Sequence, residues 1–328
     1  MSFNLTADGT PKISLSFAGT WVEEPQNGEE ARPSPQHYRM FVDDGGRGLA
    51  TFNSSYEMVT AVRDAFKAMK TVYEEIGVLH RRICSRNISI SHCGRGALVD
   101  WDFAGTNDSL GVTPLDERHG TWQFMSIRQS EATDIPIANT LQDDMESFLH
   151  VLNLVSLRYL PSNGSPGRLK SMVENTFNKR YTTHTGKMGG GHVKEMFLAS
   201  KMIRHVDFKN PPLISLLVDL ASVLAVRYQE PPSDQQIQKY KECCTKAPAE
   251  TIDDWEGALV AGKYLRRRDR LNDATWMLQR LNEALAGRTN WPVGDKSSQL
   301  KRLERKHKAR KHRNHEHLNG AREVLEKP

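Results

Sequence analysis

Leu79-His80-Arg81-Arg82-Ile83-Cys84-Ser85-Arg86-Asn87, followed ten residues on by Ala97-Leu98-Val99-Asp100-Trp101, is the most informative stretch of this chain. Asn87 and Asp100 supply oxygens of the kind that magnesium prefers. Arg82 carries a guanidinium, which accepts no hydrogen bond and keeps its proton near neutral pH. Oxygen-bearing side chains thus stand five and eighteen positions from a permanent cation.

The helix that leads into this stretch is legible from its pattern. Ser54 and Glu57 form a capping-box pair. Met58, Val62, Phe66, Met69, Tyr73 and Ile76 then recur at three- and four-residue steps as far as Gly77. A strongly apolar helix is expected from Asp143 to about Tyr159, closed by Pro161 and Gly164. Another runs from Pro211-Pro212 to Tyr228, and Pro231-Pro232 ends it before Asp234-Gln235 starts the next. Residues 252–286 read as one or two helices, and Trp291-Pro292 breaks that pattern. Strands are expected at residues 12–17 and 37–42, with a loop at 23–36 between them.

Composition narrows the classes. The 328 residues are 38% hydrophobic and 26% charged, compatible with a folded core plus long polar segments. No run of about 18 apolar residues stands out, so no membrane span is expected. The first residues show no basic stretch followed by an apolar one, so no secretory signal is expected. Cys84, Cys93, Cys243 and Cys244 lack zinc-ligand spacing and read as reduced thiols of a cytoplasmic or nuclear protein. Residues 301–313 carry +7 against +5 for the whole chain, which leaves −2 for the remainder. The basic character therefore belongs to a tail. That tail fits a nuclear-import signal or a nonspecific nucleic-acid contact, and equally a solvated segment. It has no interleaved aromatics to stack on bases. The late histidines, His307, His312, His315 and His317, stand near lysines and arginines and read as part of it rather than as metal ligands.

Four separated motifs resemble the fungal-type protein-kinase family. They are Glu75-Ile76-Gly77-Val78-Leu79-His80-Arg81, then Ala97-Leu98-Val99-Asp100-Trp101-Asp102-Phe103-Ala104, where Asp-Trp-Asp replaces Asp-Phe-Gly. Gly120-Thr121-Trp122-Gln123-Phe124-Met125-Ser126 and Asp143-Asp144-Met145-Glu146-Ser147-Phe148 complete the set. The resemblance covers roughly residues 37–160 and implies a mainly α fold. That fold would be a protein-kinase-like C-terminal lobe with small β-hairpins around the catalytic loop, its small N-terminal lobe absent or vestigial. It divides the chain into a loop-rich extension (1–36), the lobe (37–290) and a basic tail, helical or disordered (291–328).

The same resemblance assigns roles. His80 and Arg81 open the catalytic loop, and Arg82 stands at the position of the catalytic Asp, which accepts the substrate proton in active relatives. Arg82 is expected to be inert there and either to pair with Asp100, its fixed charge taking the place of a metal, or to point to solvent. Asn87 and Asp100 fall at the metal-ligand positions, as vestigial candidates. Asp144 is expected to hydrogen-bond the loop backbone as scaffolding. Thr121 and Ser126 read as buried or capping hydroxyls before they read as phosphorylation sites, and Arg118-His119-Gly120-Thr121 departs from the Arg-Thr-Gly-Thr of relatives.

Only about 36 residues precede the expected strand at 37–42. They contain no Gly-x-Gly-x-x-Gly and no Val-Ala-x-Lys, and Lys12 is the only lysine before Lys67. The expectation is a pseudokinase that needs no cofactor and acts by binding protein partners, or a remnant. Two alternatives stay open. One is an active Ser/Thr kinase using ATP and Mg, complete only with a missing N-lobe. The other is a nuclear protein acting through its basic tail.

Overall fold

Ser54 starts the first helix by accepting the Glu57 amide at 3.2 Å. The capping box is only half closed. The Glu57 carboxylate takes the Asn53 amide at 2.6 Å and pairs with Arg47, instead of returning to Ser54. Helix α1 (Ser55–Ile76) then buries Met58, Val59, Val62, Phe66, Met69 and Val72 and ends at Gly77, whose φ of 67° is the left-handed cap expected there. The apolar stripe stops one turn early, because Ile76 is 47% exposed where the helix leaves the core.

The structure is a computed structural model that describes residues 2–5, 11–14, 46–106, 122–132, 137–246 and 256–297. The expected strand at 37–42, the loop at 23–36, Thr121 and the tail at 301–313 lie outside the described residues, as does the end of the strand expected at 12–17. Among the described residues the chain is mainly helical, with small antiparallel sheets. Strands β1 (Ser2–Leu5) and β2 (Pro11–Ser14) form a hairpin with Ser2 opposite Ser14. Strands β3 (Arg47–Gly48), β5 (Ile88–Ile90) and β6 (Gly96–Leu98) form one sheet in the order β3-β5-β6. Strand β4 (Val78–Leu79) pairs with β7 (Gly105–Thr106), Leu79 opposite Gly105. These pairings bring residues 80–87 beside residues 99–104.

Helix α1 receives the β5–β6 hairpin by a close backbone approach. A Cβ on Gly96 would fall 2.0 Å from the Ala61 carbonyl oxygen, so only glycine fits. Asp64 accepts the Gly96 amide (3.1 Å) and Arg95 Nε (2.7 Å), which fixes the hairpin on the helix.

A short helix α2 (Ile127–Ser130) precedes α3 (Leu141–Tyr159), which is buried on nearly every side. Phe148 of α3 meets Phe66 of α1 edge-to-face at 5.2 Å between centroids. Each fully buried side chain of this size contributes about 1.5–3 kcal/mol, so the α1–α3 contact anchors the core. Beyond it come α4 (Pro166–Val173), the hairpin β8–β9 (Tyr181–Thr182, Met188–Gly189) and α5 (His192–Ala199). Helix α6 (Pro211–Leu224) opens on Asn210, whose side chain accepts the Leu213 amide at 3.1 Å. The segment Pro211–Tyr228 is apolar and long enough to span a bilayer, contrary to the expectation that no such run exists. Here Leu213, Leu216, Leu217, Leu220 and Leu224 lie fully inside the core.

Helices α7 (Asp234–Lys246), α8 (Glu256–Asp269) and α9 (Thr275–Ala286) follow, the stretch at 252–286 being two helices. Helix α9 packs on α1 and α6. The described body continues to Ser297. Trp291 is buried against Tyr56, Asp295 accepts the Ser55 amide at 2.6 Å, and Ser297 N–H donates to the Tyr159 carbonyl at 2.5 Å.

Candidate functional site

Helix α1 delivers the chain through Gly77 and β4 directly into His80, which is fully buried. Asp144, near the start of α3, receives the backbone amides of His80 (2.8 Å) and Arg81 (3.1 Å to Oδ1). This is the scaffolding contact expected of it. Burial pushes the Asp144 carboxyl up to about 7, against the pull of those same amides.

His80 ties two loops together. Its Nδ1 accepts the Arg82 amide at 3.2 Å, and its Nε2 faces the Val99 carbonyl at 3.1 Å. One ring nitrogen must then accept and the other donate, so the ring is the neutral Nε2–H tautomer. Burial lowers its pKa to about 4, in agreement. Trp101 packs edge-on against the ring at 4.7 Å. The turn bearing Asp100 is therefore fixed to the loop bearing Arg82.

Arg81 (φ 65°) and Asp100 (φ 68°) both adopt left-handed backbone, which costs a non-glycine residue about 1–2 kcal/mol. The contacts around them hold that strain. Arg81 Nη2 donates to the Thr106 carbonyl at 2.6 Å, and the Val99 amide donates to the Asn87 carbonyl at 2.9 Å. Asn87 spends its side-chain Nδ2 on the Arg82 carbonyl, at 2.9 Å. Strain of this kind gathers where a loop is shaped for use.

Arg82 Nη1 lies 3.4 Å from Asp100 Oδ2, and its guanidinium carbon stands 4.6 Å from the centroid of the Phe103 ring. The arginine thus sits between a carboxylate and an aromatic face. Both partners of the ion pair are about 30% exposed, so the contact contributes less than about 1 kcal/mol. Its consequence is chemical. A magnesium ion reaching Asp100 would meet a guanidinium already there, and Arg82 offers no lone pair to a metal or a proton. Asp100 Oδ2 already faces this guanidinium. Among the described residues, no group of three or more His, Cys, Asp or Glu side chains could hold a metal ion.

A second polar cluster lies under α3, and sequence reasoning missed it. Asp143 accepts Ser126 Oγ (2.8 Å) and Arg227 Nη2 (2.6 Å) and also pairs with Arg128. Burial opposes its ionisation, but Arg227 and Arg128 outweigh burial and hold the carboxyl at about 2. Glu146 takes Arg227 Nη1 (2.5 Å), Tyr228 Oη (2.6 Å) and the Ile127 amide (2.7 Å). Lys194, buried, donates to the carbonyls of Trp122 (2.7 Å) and Met125 (3.0 Å), and burial lowers its pKa to about 7. Together these groups pin residues 122–130 between α3 and α5. The only sequence hint is the acids Asp143, Asp144 and Glu146 at the head of a strongly apolar helix, which need buried partners but do not say which. Ser126 is 1% exposed and caps α2 by accepting the Gln129 amide, which leaves its hydroxyl no access to a modifying enzyme.

A mainly helical body thus presents a His-Arg loop locked to an aspartate turn, both held by an acidic residue at the head of a buried helix. Residues 14–155, rather less than half of the chain, match the family model described as fungal protein kinase, so this stretch is similar to that family. The match ends inside α3, past the last of the four motifs. No curated protein matches the chain.

Proposed function

We propose that the protein is a fungal-kinase-like domain with the helical C-terminal lobe of that fold, which does not transfer phosphate and acts by binding protein partners. The observation that carries the reading is the Arg82–Asp100 contact. Phosphoryl transfer to a hydroxyl needs a positioned proton acceptor and cations on the phosphates. At the acceptor position the chain has a guanidinium, and that guanidinium faces the carboxylate that would otherwise hold a metal. The rigid frame around it supports a retained shape without the chemistry, since His80, Asp144 and the two left-handed residues keep the loops in register. The described helices and the small sheets beside residues 80–87 are what such a lobe requires. ATP and magnesium are therefore not cofactors on this reading.

Thermal unfolding of the full chain with and without millimolar ATP and magnesium tests it. The expected result is no shift in the midpoint. A rise of several degrees that requires both ligands would show a working nucleotide site and overturn the reading.

A further inference from the structure

Helix α8 ends on a second basic element, separate from the tail. At about 100° per residue, Lys263, Arg266, Arg267 and Arg270 fall within an arc of about 100°. The Arg270 amide still bonds the Arg266 carbonyl, so the turn carrying the last of them is nearly helical. Lys263, Arg266 and Arg270 are exposed and Arg267 is half-buried, while Ala261 on the opposite side is fully buried and Tyr264 packs on the core. Asp269, the acid in this turn, points away from the basic arc by helical geometry.

Several arginines of the described body find carboxylates, although Arg168, Arg204 and Arg288 show no ion pair among the described residues. Arg63 and Arg95 pair with Asp64, Arg128 and Arg227 with Asp143, and Arg280 with Asp219. Among the described residues, the four cations of α8 form no ion pair. A cation at a helix C-terminus gains from the helix dipole, which accounts for one or two such residues but not for four aligned on one face with no ion pair among the described residues.

We infer that this face of α8 binds the phosphate backbone of a nucleic acid without reading its sequence. Its chemistry favours that partner over the other polyanions. Protein interfaces centre on buried apolar anchors, and this face carries only Val260 at its edge. A membrane-surface helix needs its apolar side free, whereas that side of α8 is packed inward. Guanidinium forks suit phosphate oxygens. The span from Lys263 to Arg270 is about 10 Å, over which one strand of a duplex presents about three phosphates. No exposed aromatic lies in the arc to stack on bases.

The face is also remote from Ser297, the last described residue before the tail. Gln142 holds the Leu271 carbonyl at one end of α3, and Ser297 is fixed to Tyr159 at the other, about 25 Å away. The two basic elements can therefore be separated by substitution.

The test is fluorescence anisotropy of single-stranded and duplex oligonucleotides against the full chain, at salt concentrations from 50 to about 300 mM. Wild type is compared with a variant carrying Lys263→Ala, Arg266→Ala, Arg267→Ala and Arg270→Ala, whose helicity and melting midpoint are checked first. Each phosphate contact adds about 0.9 to the slope of log affinity against log salt for duplex and about 0.7 for single strands. The variant should lose about 2.7 in slope with duplex and about 2 with single strands, while its tail is intact. An unchanged slope assigns all binding to the tail and overturns the inference. Wild type that binds phosphatidylserine vesicles but no oligonucleotide, or neither, overturns it as well.

Discussion

Arg82 and Asp144 lie within one loop's reach of each other and differ in kind. Arg82 pairs with Asp100 at the surface, with both groups about 30% exposed, so Arg82→Ala should change stability by less than about 1 kcal/mol. Asp144 accepts two buried amides. Asp144→Ala leaves both unpaired and should cost about 3 kcal/mol. Urea unfolding of the two variants gives the contrast directly, and equal losses would mean that the ion pair carries the frame. The pH dependence follows from the same loop. His80 titrates near 4 when folded against 6.5 when free, so its contribution is complete above 6.5 and lost as pH falls through 4. Asp144 titrates near 7 against 3.8, so its contribution is present below 3.8 and lost as pH rises through 7. The two slopes oppose each other between pH 4 and 6.5. Asp144→Asn removes one of them. The variant should therefore lose more stability than wild type does between pH 6.5 and 4.5, as measured by urea midpoints. A parallel loss in both proteins would contradict the assignment.

At the scale of elements, the hairpin β5–β6 reaches its place only because Gly96 lets the chain touch the backbone of α1. Gly96→Ala would drive a methyl group onto the Ala61 carbonyl and should destabilise by about 3 kcal/mol, read as a fall in the melting midpoint. A neutral result would mean that the hairpin and helix separate freely. Helices with a strong periodic face are legible in the amino-acid order itself. Capping residues mark the start of α1 at Ser54 and its end at Gly77, and Pro211 marks the start of α6. The elements that sequence does not reveal are hidden for a physical reason. Helices α4 and α5 have eight residues each, too few for a period to emerge, and β8–β9 has two-residue strands. Gly96 gives no signal either, because the partner of its close approach lies 35 residues away.

Over the whole molecule, the site residues named from sequence converge. His80, Arg81, Arg82, Asn87, Asp100 and Asp144 are joined by hydrogen bonds or ion contacts into one frame. They are legible because fixed offsets within a short loop, and a resemblance spanning four motifs, locate them without knowledge of packing. The buried cluster of Asp143, Glu146, Arg227 and Lys194 is not, because its members come from segments up to 84 residues apart and only the fold brings them together. The cations of α8, which form no ion pair among the described residues, stay hidden for another reason. The charge of the tail dominates the total, and exposure without counter-charge is a property of the folded surface. The proposed loss of phosphoryl transfer rests on Arg82 standing at the place of a proton acceptor and facing Asp100. Incubating the purified full chain with magnesium and γ-labelled ATP, alone and with a generic Ser/Thr protein substrate, tests this most directly. The predicted result is no label on serine or threonine above a no-protein control. Label that accumulates with wild type and scales with its concentration would contradict it.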